Sequence, residues 1–260
     1  MASASAYARP GDDVAPNATW SVTSGAAASG YPASNLGNRN PAKPFKATGT
    51  SVTVRATFGA AQTLVGVALI NHNLAGAASV AIQSGTGLNQ AIAVAANSGG
   101  QCTNPVLDFS SASSGQRTST TFDIVISTGV LGNIAIGEVL LLTSIRDLAW
   151  LWGLTFRPKR VVKRAGKTAG GTALQYNKRI RVRIVSAKVD AQTEEAAMRT
   201  LEEESQGEVF PWFLWPDRTV NEALYVMFAP GTFGWTPTSL GFTDMPLELE
   251  EVASGPPLFP

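Results

Sequence analysis

Cysteine, histidine and charge are all scarce in this chain, and each shortage removes a class of function. A single cysteine, Cys102, excludes an intrachain disulfide, and a single histidine, His72, excludes a histidine-rich metal site. Both fit assembly in a reducing cytoplasm. Charged residues make up 15% of the 260, and the net charge of +1 argues against a dedicated nucleic-acid binder. No apolar run approaches the roughly 20 residues of a membrane span. Residues 1–17 lack the basic start and apolar stretch of a secretory signal, so a soluble protein without membrane insertion is expected. What the chain does hold is 25 glycines and 15 prolines, a supply that suits turn-rich β structure over helical bundles.

The pattern changes near residue 150. Ahead of it come short strand candidates at residues 20–23, 52–58, 64–70, 80–83, 88–96, 122–126 and 134–142, separated by Gly, Ser and Asn clusters. Val52, Val54, Ala56 and Phe58 alternate with polar residues, the period-two sign of a half-buried strand. Residues 24–30 read as a small-residue loop, and Tyr31-Pro32-Ala33-Ser34-Asn35-Leu36 as a turn pinned at both ends. Residues 64–70 are entered from a turn at 59–61 and read as a core strand whose end lifts Asn71, His72 and Asn73 to a sheet edge.

Beyond the break, Trp150, Trp152 and Phe156 form a joint. Residues 157–183 then hold ten basic side chains and no acidic one. Strands at 155–162 and 179–186 flank a Gly-rich loop at 166–172, and Arg179, Arg181 and Arg183 alternate with Ile180, Val182 and Ile184. Asp190 is the expected N-cap of a helix running to Gln206. Glu202, Glu203 and Glu204 fall at its negative end, where they need a cationic partner or full solvation. Strands at 211–215, 223–229 and 240–252 complete a sheet. The expected fold is mainly β: an arm (1–16), an antiparallel β-sandwich or jelly roll (17–150), a smaller α+β domain with one main helix (151–252), and a C-terminal arm (253–260).

No catalytic constellation emerges. The one histidine has no nucleophile and acid in its motif, Asp12 and Asp13 fall in the arm, and the Gly-rich loop joins two strands instead of preceding a helix. No catalytic residue, metal site or cofactor is expected.

The order Trp20, Tyr31 to Leu36, the 52–58 strand, the Asn71-His72-Asn73-Leu74 strand end, and the 122–126 and 134–142 strands resembles a galactose-binding-like (discoidin-type) jelly roll. It is more similar to the version found in bacteriophage tail proteins. The segment Phe213-Leu214-Trp215-Pro216-Asp217 and the strand Leu247-Glu248-Leu249-Glu250-Glu251-Val252 resemble the C-terminal half of phage tail-tip proteins. Phe45 stands where sugar-binding members often carry tryptophan. The resemblance implies a homo-oligomeric structural subunit of a tail tip or baseplate, assembled in the host cytoplasm and placed in the virion tail. Its partners would be the tail tube, hub and tape-measure proteins.

On that reading Arg179, Arg181, Arg183, Glu202, Glu203, Glu204, Leu258 and Phe259 are candidate subunit contacts, the basic stripe of one copy meeting the acidic helix end of the next. A solvated stripe and a solvated helix end are the plain alternative. A carbohydrate-binding module touching a host-surface glycan through Tyr31, Asn38, Arg39, Asn71, His72 and Asn73 is the second functional reading, and nucleic acid ranks last.

Overall fold

Branched side chains alternating with polar ones put most of this chain into strands, and two antiparallel sheets result. The computed structural model describes residues 5–74, 78–94, 103–128, 133–148, 151–167, 173–206, 211–218, 223–228 and 244–252, with backbone alone over 151–195, 244–247 and 250–251. The chain is mainly β, as expected.

Strand β1 (Ser5–Ala8) comes first. The sandwich follows as β2 (Thr19–Ala27), β3 (Phe45–Thr63), β4 (Gly66–His72), β5 (Ser79–Ser84), β6 (Asn89–Ile92), β7 (Val106–Asp108), the helical turn α1 (Ser114–Arg117), β8 (Thr118–Ser127) and β9 (Asn133–Leu142). Its strand order is β6-β5-β8-β3-β9-β4-β7, with β2 also on β3. Strand β3 serves both layers, because residues 45–48 pair with β9 and residues 51–63 with β8. Gly49, at φ 95°, lies between the two registers, a backbone state that side chains resist. Between the layers pack Phe45, Val54, Leu69, Phe122, Ile124, Ile136 and Leu141, all fully buried.

The second sheet contains β10 (Arg146–Leu148), β11 (Leu151–Lys167), β12 (Ala173–Asp190), β13 (Trp212–Trp215), β14 (Leu224–Phe228) and β15 (Asp244–Glu251), in the order β10-β1-β13-β14-β15-β12-β11. Alternation gives it two apolar faces. Tyr7, Trp212, Leu214, Leu224 and Val226 pack on Met198 and Leu201 of helix α2 (Ala191–Ser205). Ala6, Ala8, Phe213, Trp215 and Tyr225 point the other way, onto Ala68, Ile70, Leu140 and Leu142 of the sandwich. Each large side chain removed from water this way contributes about 1.5–3 kcal/mol before ordering costs. The layers therefore run sandwich, sheet, helix.

Several expectations change here. Residues 5–8 are no arm but a buried strand between β10 and β13, seated because Ala6 and Ala8 are small enough to lie against the sandwich. Strand β2 continues to Ala27 through the expected loop, and β3 continues to Thr63 through the expected turn at 59–61. Strand β10 enters the second sheet before residue 150. The His72 end of β4 pairs with β9 at Ile136 while β7 stops at Ala68, and His72 is not lifted to an open edge but buried, bonded to the Thr103 carbonyl. The C-terminal arm, with Leu258 and Phe259, lies outside the described residues.

Candidate functional site

The loop residues expected to meet a ligand are spent largely on the fold. Asn71, at φ 53°, donates its side-chain amide to the Pro41 carbonyl (2.8 Å). Opposite it, Gly137 leaves no room for a Cβ, which would stand 2.7 Å from the Pro41 oxygen. This pair breaks the alternation of β9. Ile136 and Val139, three residues apart, both face the sandwich core, and Glu138 between them is turned toward the second sheet.

Asn73 donates to the Asn133 carbonyl (3.0 Å) and accepts from the Ala135 N–H (2.8 Å). Asn38 accepts from the Asn40 N–H (2.8 Å) and donates to Asn35 Oδ1 (3.3 Å). His72 is 5% exposed, and both ring nitrogens are used. The Leu74 N–H donates to Nδ1 (3.1 Å), so Nε2 carries the proton and donates to the Thr103 carbonyl (2.9 Å). Burial pushes its pKa down to about 4. Of the six, Tyr31 and Asn38 are exposed, and Lys46 Nζ lies 4.2 Å from the Tyr31 ring centroid.

Arg39 leads instead to a polar cluster at the seam between sandwich and second sheet. Its N–H donates to Glu138 Oε1 (2.7 Å), and its Nη2 donates to the Pro10 carbonyl (3.0 Å). Asp13 bridges toward β9, its Oδ1 accepting from Leu141 N–H (3.0 Å) and Ala15 N–H (3.1 Å). Arg9 pairs with Glu204 at the end of α2 (2.6 Å), and Asp12 pairs with Arg146. Pro10, Gly11, Asp12, Arg39 and Glu204 line an open recess of about 360 Å³ above these groups.

The electrostatics of this cluster are unusual. Burial first, and the Asp13 charge second, push Glu138 up to about 9. Burial likewise raises Asp13 to about 6, against its two backbone donors and the Arg39 charge. Burial, then the two carboxyl groups, raises the Tyr225 phenol as well.

Two further ties cross the seam. Asn104 donates to the Ala223 carbonyl (3.2 Å) and accepts from the Asn71 N–H (2.9 Å), and Arg218 reaches Asp147 (2.5 Å) and Asp108 (3.7 Å). Among the described residues no group of three or more metal-ligating side chains comes together.

Of the candidate subunit contacts, Glu204 has the cation its position called for, in Arg9, within the same chain. Glu203 is exposed and Glu202 half-buried. Arg179, Arg181 and Arg183 lie on β12, whose register places Arg160 opposite Arg181 and Pro158 opposite Arg183. Strand β15 stops pairing at Ile184, so from Arg183 back to Ala173 the hairpin β11–β12 has no third strand among the described residues. At ~3.3 Å per residue that free ribbon is about 35 Å long.

The seam cluster escapes sequence reading except for one flag. Glu138 interrupts the otherwise apolar run Ile134 to Leu142, and a charge there needs a special environment.

No protein-family model matches the chain, and a search of curated proteins returns no match. Solved structures with similar coordinates include the family 32 carbohydrate-binding module of Clostridium perfringens NanJ in complex with galactose, at 14% identity and a TM-score of 0.38, covering 55% of this chain and 99% of that one. The lectin domain of lectinolysin complexed with Lewis B antigen is similar at 13% identity and a TM-score of 0.39, covering 51% and 96%. The family 32 module of AlyQ in complex with 4,5-unsaturated mannuronic acid is similar at 17% identity and a TM-score of 0.36, covering 48% and 95%.

Proposed function

We propose that this chain is a structural subunit of a larger particle, a phage tail tip or baseplate, built by repeated contacts between copies. The observation that carries this reading is the β11–β12 ribbon. Arg160 and Arg181 occupy facing positions, and like charges directly opposite destabilise a strand pair. Residues 157–183 supply no acidic side chain to offset them, while all nineteen acidic residues and the other ten basic ones lie elsewhere. A two-stranded ribbon standing alone in water is marginal at best. A partner with an acidic surface supplies both the third layer and the counter-charge, and a second copy of this chain carries such a surface at Glu202 and Glu203.

In this arrangement the basic ribbon of one copy, through Arg179, Arg181 and Arg183, meets the helix end of the next, head to tail, and closes a ring. The sandwich then faces the tail tube, hub or tape-measure proteins, and the assembly sits in the virion tail after forming in the host cytoplasm. Sedimentation of the intact protein tests this. Self-association is expected, weakened at least tenfold by Arg181→Glu with Arg183→Glu and restored in part by Glu202→Arg with Glu203→Arg. A strict monomer at high concentration and in purified particles overturns the assembly reading, and salt-sensitive binding of DNA with no self-association would assign the ribbon to nucleic acid.

One observation favours a second reading. Tyr31 presents an exposed aromatic ring on a sandwich loop, as a sugar-stacking residue does, and the similar structures hold galactose and Lewis antigens. Selective binding on a glycan array, lost in Tyr31→Ala, would make the sandwich a host-surface glycan module.

A further inference from the structure

Glu138 is fully buried, and its two oxygens are treated unequally. Oε1 accepts the Arg39 N–H, while Oε2 has no hydrogen-bond partner. Asp13 repeats the pattern, with Oδ1 doubly engaged and Oδ2 buried without a partner. Two orphaned carboxyl oxygens in one seam are costly, since each buried acceptor left unmade forfeits its hydration. A proton on Glu138 removes the buried charge of that carboxyl group, the larger part of the cost.

We propose that Glu138 keeps its proton at neutral pH while Asp13 is ionised, and that seating the second sheet over Glu138, on the face of β9 shared with Leu140 and Leu142, depends on that proton. The groups facing the pair agree with it. Arg39, from the loop after Leu36, lowers both carboxyl groups, and on Glu138 burial outweighs it together with the Arg39 and Asn40 N–H groups. Tyr225, from β14, is held in its neutral form first by burial, with the carboxyl groups adding to it. Arg9 lines the same small void as Asp13, Arg39 and Tyr225; its Nη1 pairs with Glu204, and its Nε is buried without a partner. From β4 come Ile70, opposite Glu138 in the register, and His72, which is neutral and bonded to Thr103.

The order of ionisation also fits. Asp13, at about 6, loses its proton while Glu138 is still neutral, and Glu138 must then ionise beside an existing anion, which raises it further.

The device has a sign. Both carboxyl groups bind protons more tightly in the closed seam than in water, so closure is most favoured at low pH and weakens as pH rises through the raised values. Between pH 6 and 9 the closed seam holds one proton more than an opened one, and the opened population grows about tenfold per pH unit. Above about 9 an unpaired pair of anions remains in an apolar seam. Alkali therefore frees the sheet that carries the ribbon from the sandwich, and acid seats it.

Two measurements on the intact chain test the lock. The infrared spectrum at pH 7 should contain the carbonyl band of a buried protonated carboxylic acid, absent in Glu138→Gln. Amide exchange, corrected for its chemical pH dependence, should show β1 and β13 opening about tenfold more per pH unit between 6 and 9 while β8 in the sandwich core does not. Glu138→Gln, which keeps an acceptor for the Arg39 N–H and cannot ionise, should abolish that slope, and Glu138→Leu should do the same if the amide fails to fold. A wild-type spectrum without the band, a band that survives Glu138→Gln, or a slope unchanged in both variants overturns the proposal.

Discussion

His72 shows how much one buried ring can be made to do without chemistry. Its two nitrogens join Leu74 and Thr103, fixing the strand end after β4 to the segment before β7. Because its folded pKa lies below the unfolded value of 6.5, the stability it contributes is complete above 6.5 and is lost as pH falls toward about 4. That loss amounts to about 3 kcal/mol. Glu138 and Asp13 act in the opposite sense, so the whole-protein pH profile mixes the two. Comparing wild type with His72→Gln isolates the ring. The gap between their thermal midpoints should narrow steadily from pH 7 to pH 4, and a constant gap would mean that the imidazole is not held neutral. The sequence places His72 between two asparagines, and that context alone reads as well for a surface tip as for an internal tie. The difference lies in Asn71, whose φ of 53° turns the backbone so that all three side chains close inward on loops 30 or more residues away.

At the scale of elements, β1 is the least expected and the most consequential. Ser-Ala-Tyr-Ala has no strand signature of its own, since small residues predict little and four positions cannot display a period. Yet Ser5, Ala6, Tyr7 and Ala8 are all buried, and Tyr7 meets the Trp212 ring edge-on at 6.5 Å between centroids. Without β1, strands β10 and β13 lose their common neighbour. Tyr7→Ala should cost about 3–5 kcal/mol, the range for deleting a buried aromatic side chain. Removal of residues 1–8 should leave the second sheet open to protease while the sandwich stays protected. Equal protection of both sheets in the truncated chain would show that the strand is dispensable. The longer strands were legible in advance for the opposite reason: Val52 to Phe58 and Phe122 to Ile126 alternate over enough residues to define a face, and Ile134 to Leu142 is an apolar run long enough to mark a core strand. Helix α2 was legible too, from Asp190 ahead of it and the Ala197, Met198 and Leu201 spacing that meets the sheet.

Across the whole molecule, charge is segregated in sequence and reconciled in space. The cation demanded by the acidic end of α2 arrives from Arg9, 195 residues away, and the remaining acids at Glu202 and Glu203 stay available to a neighbour. If copies associate through the basic ribbon, exposed charges carry the contact and salt must screen it. Self-association should fall steeply between 50 mM and 500 mM salt; association that is indifferent to salt would point to an apolar interface elsewhere. The sequence by itself determined the all-antiparallel character, the basic stretch at 157–183 and the absence of any thiol or imidazole cluster, because composition and period are local properties of the chain. Tertiary structure alone decided that residues 5–8 complete a distant sheet, that Arg39, Asn71 and Asn73 are tied into the fold, and that Glu138 is buried in the seam beside the second sheet. Those outcomes depend on contacts between segments far apart in the chain, and the pKa of a carboxyl group is set by the surroundings such contacts create.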